Sequence, residues 1–299
     1  MRITFNSQFR DAQTSLDIVT QRMVEMQRQV ASGKRVSKPS DDPSTAAASV
    51  SERAQIGSID QYKRAADGVA SRLTVIDTAL ADMLERITAA QTAATSARGS
   101  IVSPAQREAA AMALEGIRAA LLDDFNTSFR GTYIFSGASS DTPPYVLNVN
   151  GTDVDSYGGN TQEVAVDIGE ERSVTVMFNG ETIAQGGAAD DLFANINALI
   201  VAARAGDNDA LGNGIDALKG AFERVSAAQG RVGIGLNVVE VERNRLEQIR
   251  IAGVARLSQL EDANMAEAIS EMSQAEMAYR AALGAISTGG KMSLLDFLG

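Results

Sequence analysis

The residues that could do chemistry in this chain are few, because it contains neither cysteine nor histidine. Disulfides, thiolate nucleophiles, imidazole bases, zinc sites of the Cys/His kind and Ser-His-Asp triads are all excluded. Carboxylate, lysine and tyrosine chemistry is left. The segment Ala285–Met292, with Gly289-Gly290-Lys291, superficially resembles a phosphate-binding loop. It lacks the first glycine, Met292 stands where a Ser or Thr should hold the metal, and no strand precedes it. Asp207-Asn208-Asp209 opens like a calcium loop, but Leu211 and Leu218 occupy positions that need oxygen ligands, so a helix-capping turn is expected. Asp123-Asp124 and Asp190-Asp191 are adjacent acids, read as solvated helix surface and, for the second pair, a cap. Asn126-Thr127-Ser128 and Asn150-Gly151-Thr152 match a glycosylation triplet that is common by chance. No catalytic residue, cofactor site or metal site emerges.

The informative spacing is hydrophobic. Near the start, Ala12, Leu16, Val19, Met23, Met26 and Val30 alternate by four and three. Near the finish, Ile269, Met272, Glu276, Tyr279, Leu283 and Ile286 do the same. Each set forms one seam of a helix, as a coiled-coil partner requires. Isolated helices of this length are marginal in water, so each seam needs a partner, either the other seam or a neighbouring molecule. Glu276 interrupts its seam. Either a local phase shift turns Ala275 inward instead, or a buried, paired carboxylate sits there, since an unpaired one is costly. The pattern points to assembly rather than catalysis.

The elements between the seams are mostly helical. Gly33 ends the first helix, and Ser37–Pro43 is a turn cluster in which two prolines block continuation. Residues 44–101 form the longest helical candidate. Val69, Leu73, Ile76, Leu80, Met83, Ile87, Ala90, Ala94, Ala97 and Ile101 keep its seam, which spans roughly 50 Å at the helical rise. Ser103-Pro104 starts another helix, carried by Met112, Leu114, Ile117, Leu121 and Phe125 to about Ser128. At Gly131 the character changes. Thr132–Phe135, Tyr145–Val149, Val164–Ile168 and Val174–Phe178 read as short strands, with Asn150-Gly151, Gly158-Gly159 and Asn179-Gly180 as turns. Helix resumes near Asp190, breaks at Gly206–Asp209, and then runs from Ala210 to Ser287. Gly230, Gly233 and Gly235 weaken that last stretch by about 1 kcal/mol each, and close packing or a hinge accounts for them.

Composition agrees with a helical scaffold. The 299 residues are 44% hydrophobic but only 5% aromatic, and there is no tryptophan. Alanine at the seams suits close helix packing. The net charge is −11, without a basic stripe, so no nucleic-acid partner is expected. No run approaches 18 apolar residues, so no membrane span is expected. The first eight residues lack the apolar core of a signal peptide. A general secretory route is therefore disfavoured, and export by a dedicated machine, which a cysteine-free chain would suit, stays open.

Two segments resemble the bacterial flagellin family. Val30-Ala-Ser-Gly-Lys-Arg-Val-Ser-Lys-Pro-Ser-Asp-Asp-Pro43 is similar to its N-terminal signature, and Leu260-Glu-Asp-Ala-Asn-Met-Ala-Glu-Ala-Ile269 to its C-terminal one. Within the family, Asn126–Gly137, Asp141–Tyr145 and the closing Ser293–Leu298 resemble the members that join hook to filament rather than filament subunits. The ordered set covers nearly the whole chain and is thinnest across the insert. The smaller insert and the Gly289-Gly290-Lys291 tail depart from the better-known members.

The resemblance implies a mainly α fold with a small β-rich insert, in three layers. Residues 1–36 with 255–299 form an inner coiled-coil layer, 37–130 with 189–254 a helical bundle, and 131–188 an outer β-rich insert. It implies a structural adaptor of the flagellum, exported by the type III machine without a cleaved signal peptide and located outside the cell. The implied partners are further copies in a homo-oligomeric ring, the first hook-junction protein, flagellin and an export chaperone. Leu16, Val19, Met23, Met26 and Val30, with Ile269, Met272, Tyr279, Leu283 and Ile286, are the expected assembly residues. The rival readings are a flagellin proper, a secreted enzyme with a catalytic insert, and a cytoplasmic coiled-coil scaffold.

Overall fold

The computed structural model describes the backbone of residues 5–149, 151, 153–186 and 191–298, with the side chains of 5–9, 12 and 288–298 outside the description. Residues 1–4, which read in the sequence as a short extended lead into the first helix, lie outside the described residues. Helices dominate: α1 (Phe5–Ser32), α2 (Pro43–Ala97), α3 (Pro104–Phe125), α4 (Gly180–Ala184), α5 (Leu192–Ala205), α6 (Asn208–Glu261) and α7 (Met265–Leu298). Two antiparallel hairpins accompany them, β1 (Ser128–Phe129) with β2 (Thr132–Tyr133), and β3 (Val164–Gly169) with β4 (Arg172–Met177). Among the described residues no helix is long and apolar enough to cross a membrane.

The chain divides into two compact units. A terminal unit comprises Met1–Ser58 with Ile249–Gly299, and a central unit comprises Ile59–Gln248. α2 and α6 each supply residues to both. Charge divides unevenly. The terminal unit holds 12 Lys/Arg against 12 Asp/Glu and the central unit 15 against 26, so the entire net charge of −11 belongs to the central unit.

In the central unit the long seam of α2 is the spine of the core. Val69, Leu73, Ile76, Leu80, Met83, Ile87, Ala90, Ala94 and Ala97 are all buried. Ile101, expected to end that seam, is exposed, because α2 stops at Ala97 and the chain turns through Gly99 at φ 135°. Ser103 caps α3 with a reciprocal capping box to Gln106, and Pro104 takes the first turn. Leu114, Leu121 and Phe125 point inward from α3, whereas Met112, expected on that face, is exposed. α3 packs closely on α5, whose Phe193, Ile196, Leu199 and Ile200 are buried.

The insert shares this core. Phe125 of α3 touches Phe135, Tyr145 and Phe193 with ring centroids 5.9, 5.3 and 5.6 Å away. The Asn126 side chain binds the backbone of Tyr145 in both senses, donating to its carbonyl at 2.8 Å and accepting its N–H at 3.2 Å. Residues 145–149 do not form the expected strand. One bridge, Leu147 to Val154, is their only ladder contact among the described residues, and Asn126 instead fixes Tyr145 to the end of α3. Asn179-Gly180 is not a hairpin turn either. Asn179 caps α4, its side chain accepting the Glu181 N–H.

Hairpin β3–β4 is anchored on α6 through Glu242, which is 1% exposed and clamped by Arg245 at 2.7 Å and Arg172 at 3.5 Å. α6 stays helical through its glycines. Gly235 lies under Leu73 and Val174, where a Cβ would come within 3.3 Å of each, so close packing accounts for it; Gly230 and Gly233 face open space.

Candidate assembly site

The expected single helix from Ala210 to Ser287 is two helices. α6 ends at Glu261 and α7 starts at Met265. The break falls inside the second signature, and it is made by the first. Gly33 closes α1 at φ 69°, its N–H donating to Gln29 O at 2.8 Å. Its own carbonyl accepts the Ala263 N–H at 2.9 Å. The N–H groups of Arg35 and Val36 donate to the carbonyl of Glu261 at 2.7 and 3.4 Å, and Lys34 bridges Asp262 in antiparallel sense. The Arg35 guanidinium adds a bond to Leu260 O at 3.1 Å. The C-terminal carbonyls of α6, which have no partner within their helix, are thus satisfied by the turn that follows α1.

The Glu261 side chain is the centre of this junction. It is 4% exposed, and one of its oxygens accepts from Lys34 Nζ at 2.9 Å and from Arg53 at 2.6 Å. Burial pushes its carboxyl pKa up, but the two hydrogen bonds and the two cations outweigh that and hold it below the ordinary range. Asp41 and Asp42 shape the turn itself. Asp41 accepts the N–H groups of Ser37 and Lys38 at 3.1 and 2.9 Å, and lies 3.6 Å from Arg28. Asp42 caps α2, accepting from the backbone of Ser44 and Thr45 and from both hydroxyls. Its carboxyl is held well below the ordinary range, first by the Thr45 hydroxyl.

α1 and α7 leave this junction packed closely on each other. Met26 is 7% exposed, and Leu16, Val19, Met23 and Val30 are half-buried. On α7, Met272, Tyr279 and Ile286 are half-buried, while Ile269 and Leu283 are 47% and 42% exposed. Ala268 and Ala275 are the buried positions, at 5% each, and Ala282 is half-buried. The inward seam of α7 is therefore Ala268, Met272, Ala275, Tyr279, Ala282 and Ile286, and the phase shift that brings Ala275 inward is the arrangement observed. Small side chains permit the close approach of α1. Ala12 lies outside the described side chains.

Lys34, Arg53 and Glu261 were not among the expected site residues. The sequence signal was Asp262-Ala-Asn264, polar cap residues inside an apparently continuous helix; Asn264 O accepts the Ala268 N–H at the start of α7. The chemical motifs have structural roles or lie outside the description. Asp207 caps α6, accepting the N–H groups of Asp209 and Ala210 at 3.1 and 3.0 Å. Asp191 caps α5 through the Ala194 N–H at 2.8 Å, and Asp190 lies outside the described residues. Gly289-Gly290-Lys291 lies within the helical backbone of α7.

A junction that ties one terminal helix to the other, in a chain that also carries a helical bundle, defines a class. The model of the bacterial flagellin N-terminal helical region matches residues 3–140, and that of the C-terminal helical region matches 215–298. The chain belongs to the flagellin family. Within it, the chain is similar to flagellar hook-associated protein 3 of Escherichia coli K12, 23% identical over 291 residues that cover 90% of each chain. Solved structures share the fold, among them the following two. A flagellar hook-associated protein from Vibrio parahaemolyticus has a TM-score of 0.69 at 16% identity, covering 74% of this chain and all of its own. The flagellar junction protein FlgL of Legionella pneumophila has a TM-score of 0.60 at 13% identity, covering 72% of this chain and 99% of its own. The chain is a structural component of the bacterial flagellum, grouped with hook-associated proteins rather than with filament subunits.

Proposed function

We propose that this chain is a non-catalytic adaptor that joins hook-side to filament-side subunits, and that pairing of α1 with α7 drives its assembly. The observation that carries this is the meeting of both signature segments in one hydrogen-bonded junction around Glu261. Most of the terminal seam residues are only half-buried in the single chain, so apolar surface is left to cover. Placing further copies beside the pair covers it, and ordering of the termini is then coupled to assembly. The partners are further copies in a ring, the first hook-junction protein, flagellin, and a chaperone that holds the C-terminal region before export without a cleaved signal peptide. On this reading 1–36 with 255–299 is the inner layer, 37–130 with 189–254 the bundle, and 131–188 the outer insert.

Immuno-labelling of intact flagella tests the reading. A single band at the base of the filament is expected. Label along the whole filament would make the chain a flagellin, and its confinement to the cytoplasm would make it an internal scaffold.

A further inference from the structure

One face of α6 is built like half of a symmetric pair. Glu223, Ala227, Gly230, Ile234, Val238, Val241 and Arg245 follow one another at spacings of 4, 3, 4, 4, 3 and 4, so they form one stripe along the helix that reads alike from either end. The stripe lies away from the core side of α6, where Val225, Ala228, Val232, Val239 and Leu246 are buried. Ile234 is 68% and Val241 54% exposed, Val238 is half-buried, and the other four are exposed. Gly230 is the odd member. Glycine weakens a helix interior, and a Cβ at this position would meet no described atom within 4 Å, so no contact inside the chain calls for it. We propose that this stripe docks, antiparallel and across a two-fold axis at Ile234, on the same stripe of a second copy of this chain.

Turning the stripe end for end chooses that occupant. With Ile234 facing Ile234, each small residue meets a large one: Ala227 lies opposite Val241, and Gly230 opposite Val238. Gly230 then leaves room for the facing valine and lets the two backbones approach. The charged ends are complementary as well, because Glu223 of each copy meets Arg245 of the other. Arg245 gives Nε and Nη2 to Glu242 within its own chain, and 50% of its side-chain surface remains exposed for a second carboxylate. The cations beside the stripe are already engaged, Arg231 with Glu163 and Arg243 with Asp67. A surface that matches its own reverse is what an isologous contact requires, and such a contact closes at two copies. The pair is therefore a form of the free chain, separate from any ring, and it does not depend on the pairing of α1 with α7. One helix face is a small interface, so the association is weak and reversible.

The chain has no cysteine of its own, so the contact can be trapped at a chosen position. The full chain carrying Ile234→Cys is treated with a short bis-maleimide at physiological ionic strength, where the net charge of −11 on each copy is screened beyond about 8 Å. Ile101→Cys, at a residue 96% exposed on the same unit, is the control for chance collision. Linked dimer is expected to form roughly tenfold faster from Ile234→Cys, because docking holds the two thiols together. Equal rates overturn the proposal. Gly230→Leu, added to Ile234→Cys, fills the hollow. It is expected to leave the thermal midpoint unchanged or higher, since its side chain meets open space within the chain, yet to slow linking to the rate of the control. Undiminished linking in that variant, with its helical content intact, overturns the assignment of the stripe. Glu223→Arg sets like charges at both ends and is expected to slow linking by roughly tenfold. Met23→Asp, added to Ile234→Cys, is expected to change nothing. Should it abolish linking, the copies meet through their terminal helices and the stripe is not the contact.

Discussion

Lys34 Nζ lies 2.9 Å from the carboxylate of Glu261, although the two residues are 227 positions apart. Arg53 approaches the same oxygen at 2.6 Å. Glu261 is the last residue of α6, and Lys34 follows the glycine that closes α1, so the ion pair stands where one terminal helix ends and the other is about to begin. The two cations keep 40% and 53% of their side-chain surface, while the carboxylate keeps 6%. The cations thus remain largely hydrated, and the desolvation cost falls mainly on one group that has two partners to offset it.

Replacing Glu261 by Ala removes both pairs but leaves Lys34 and Arg53 free to turn to water. The expected loss is about 1–3 kcal/mol of local docking. Amide exchange at Arg35 and Ala263 should quicken, while exchange in the central unit stays as in the wild type. The same junction should weaken in acid. The folded state holds Glu261 below its ordinary value of 4.5, so its contribution is complete above that pH and is lost as pH falls through the lowered folded value. An acid titration followed by exchange at the same amides checks the sign.

Asp124 should behave in the opposite way. Burial, assisted by the charges of Asp82 and Asp123 and opposed by Arg86, raises its carboxyl from 3.8 to about 6. The folded chain therefore holds this proton more tightly than the unfolded chain. The stabilisation is complete below pH 3.8 and is lost as pH rises through about 6. Asp124→Asn is expected to stabilise the central unit at pH 7 by about 1–2 kcal/mol after allowance for solvent screening. Most of that gain should be absent at pH 4, as denaturant midpoints at the two pH values would reveal.

Phe125 ties the insert to the bundle. It is fully buried and contacts rings from the insert and from α5. Phe125→Ala should destabilise the central unit by about 3–5 kcal/mol through the cavity it leaves. Thermal unfolding should show the β-hairpin signals and the helical signal falling together, since one core serves both.

Some of this architecture is legible in the chain and some is not. The α2 seam is readable because large aliphatic residues repeat over many turns. The inward edge of α7 is harder to read, because alanine contributes little to an apolar pattern while Ile269 and Leu283, one position away, dominate it. The break between α6 and α7 is decided by bonds from Gly33, Arg35 and Val36, more than two hundred positions distant. No local periodicity carries that information. The same holds for Glu242 and Glu261, which look like ordinary surface acids until Arg172, Lys34 and Arg53 are brought to them. Resemblance to the family marked the two signature segments, and the structure supplies the reason they occur together.

The pairing of α1 with α7 as the driver of assembly is most directly tested at Met23, half-buried on the inward seam of α1. A Met23→Asp chain should unfold with the same central-unit midpoint as the wild type, yet be absent from isolated flagella, and its cells should lack filaments. Wild-type filaments bearing the Met23→Asp chain at their base would contradict the account.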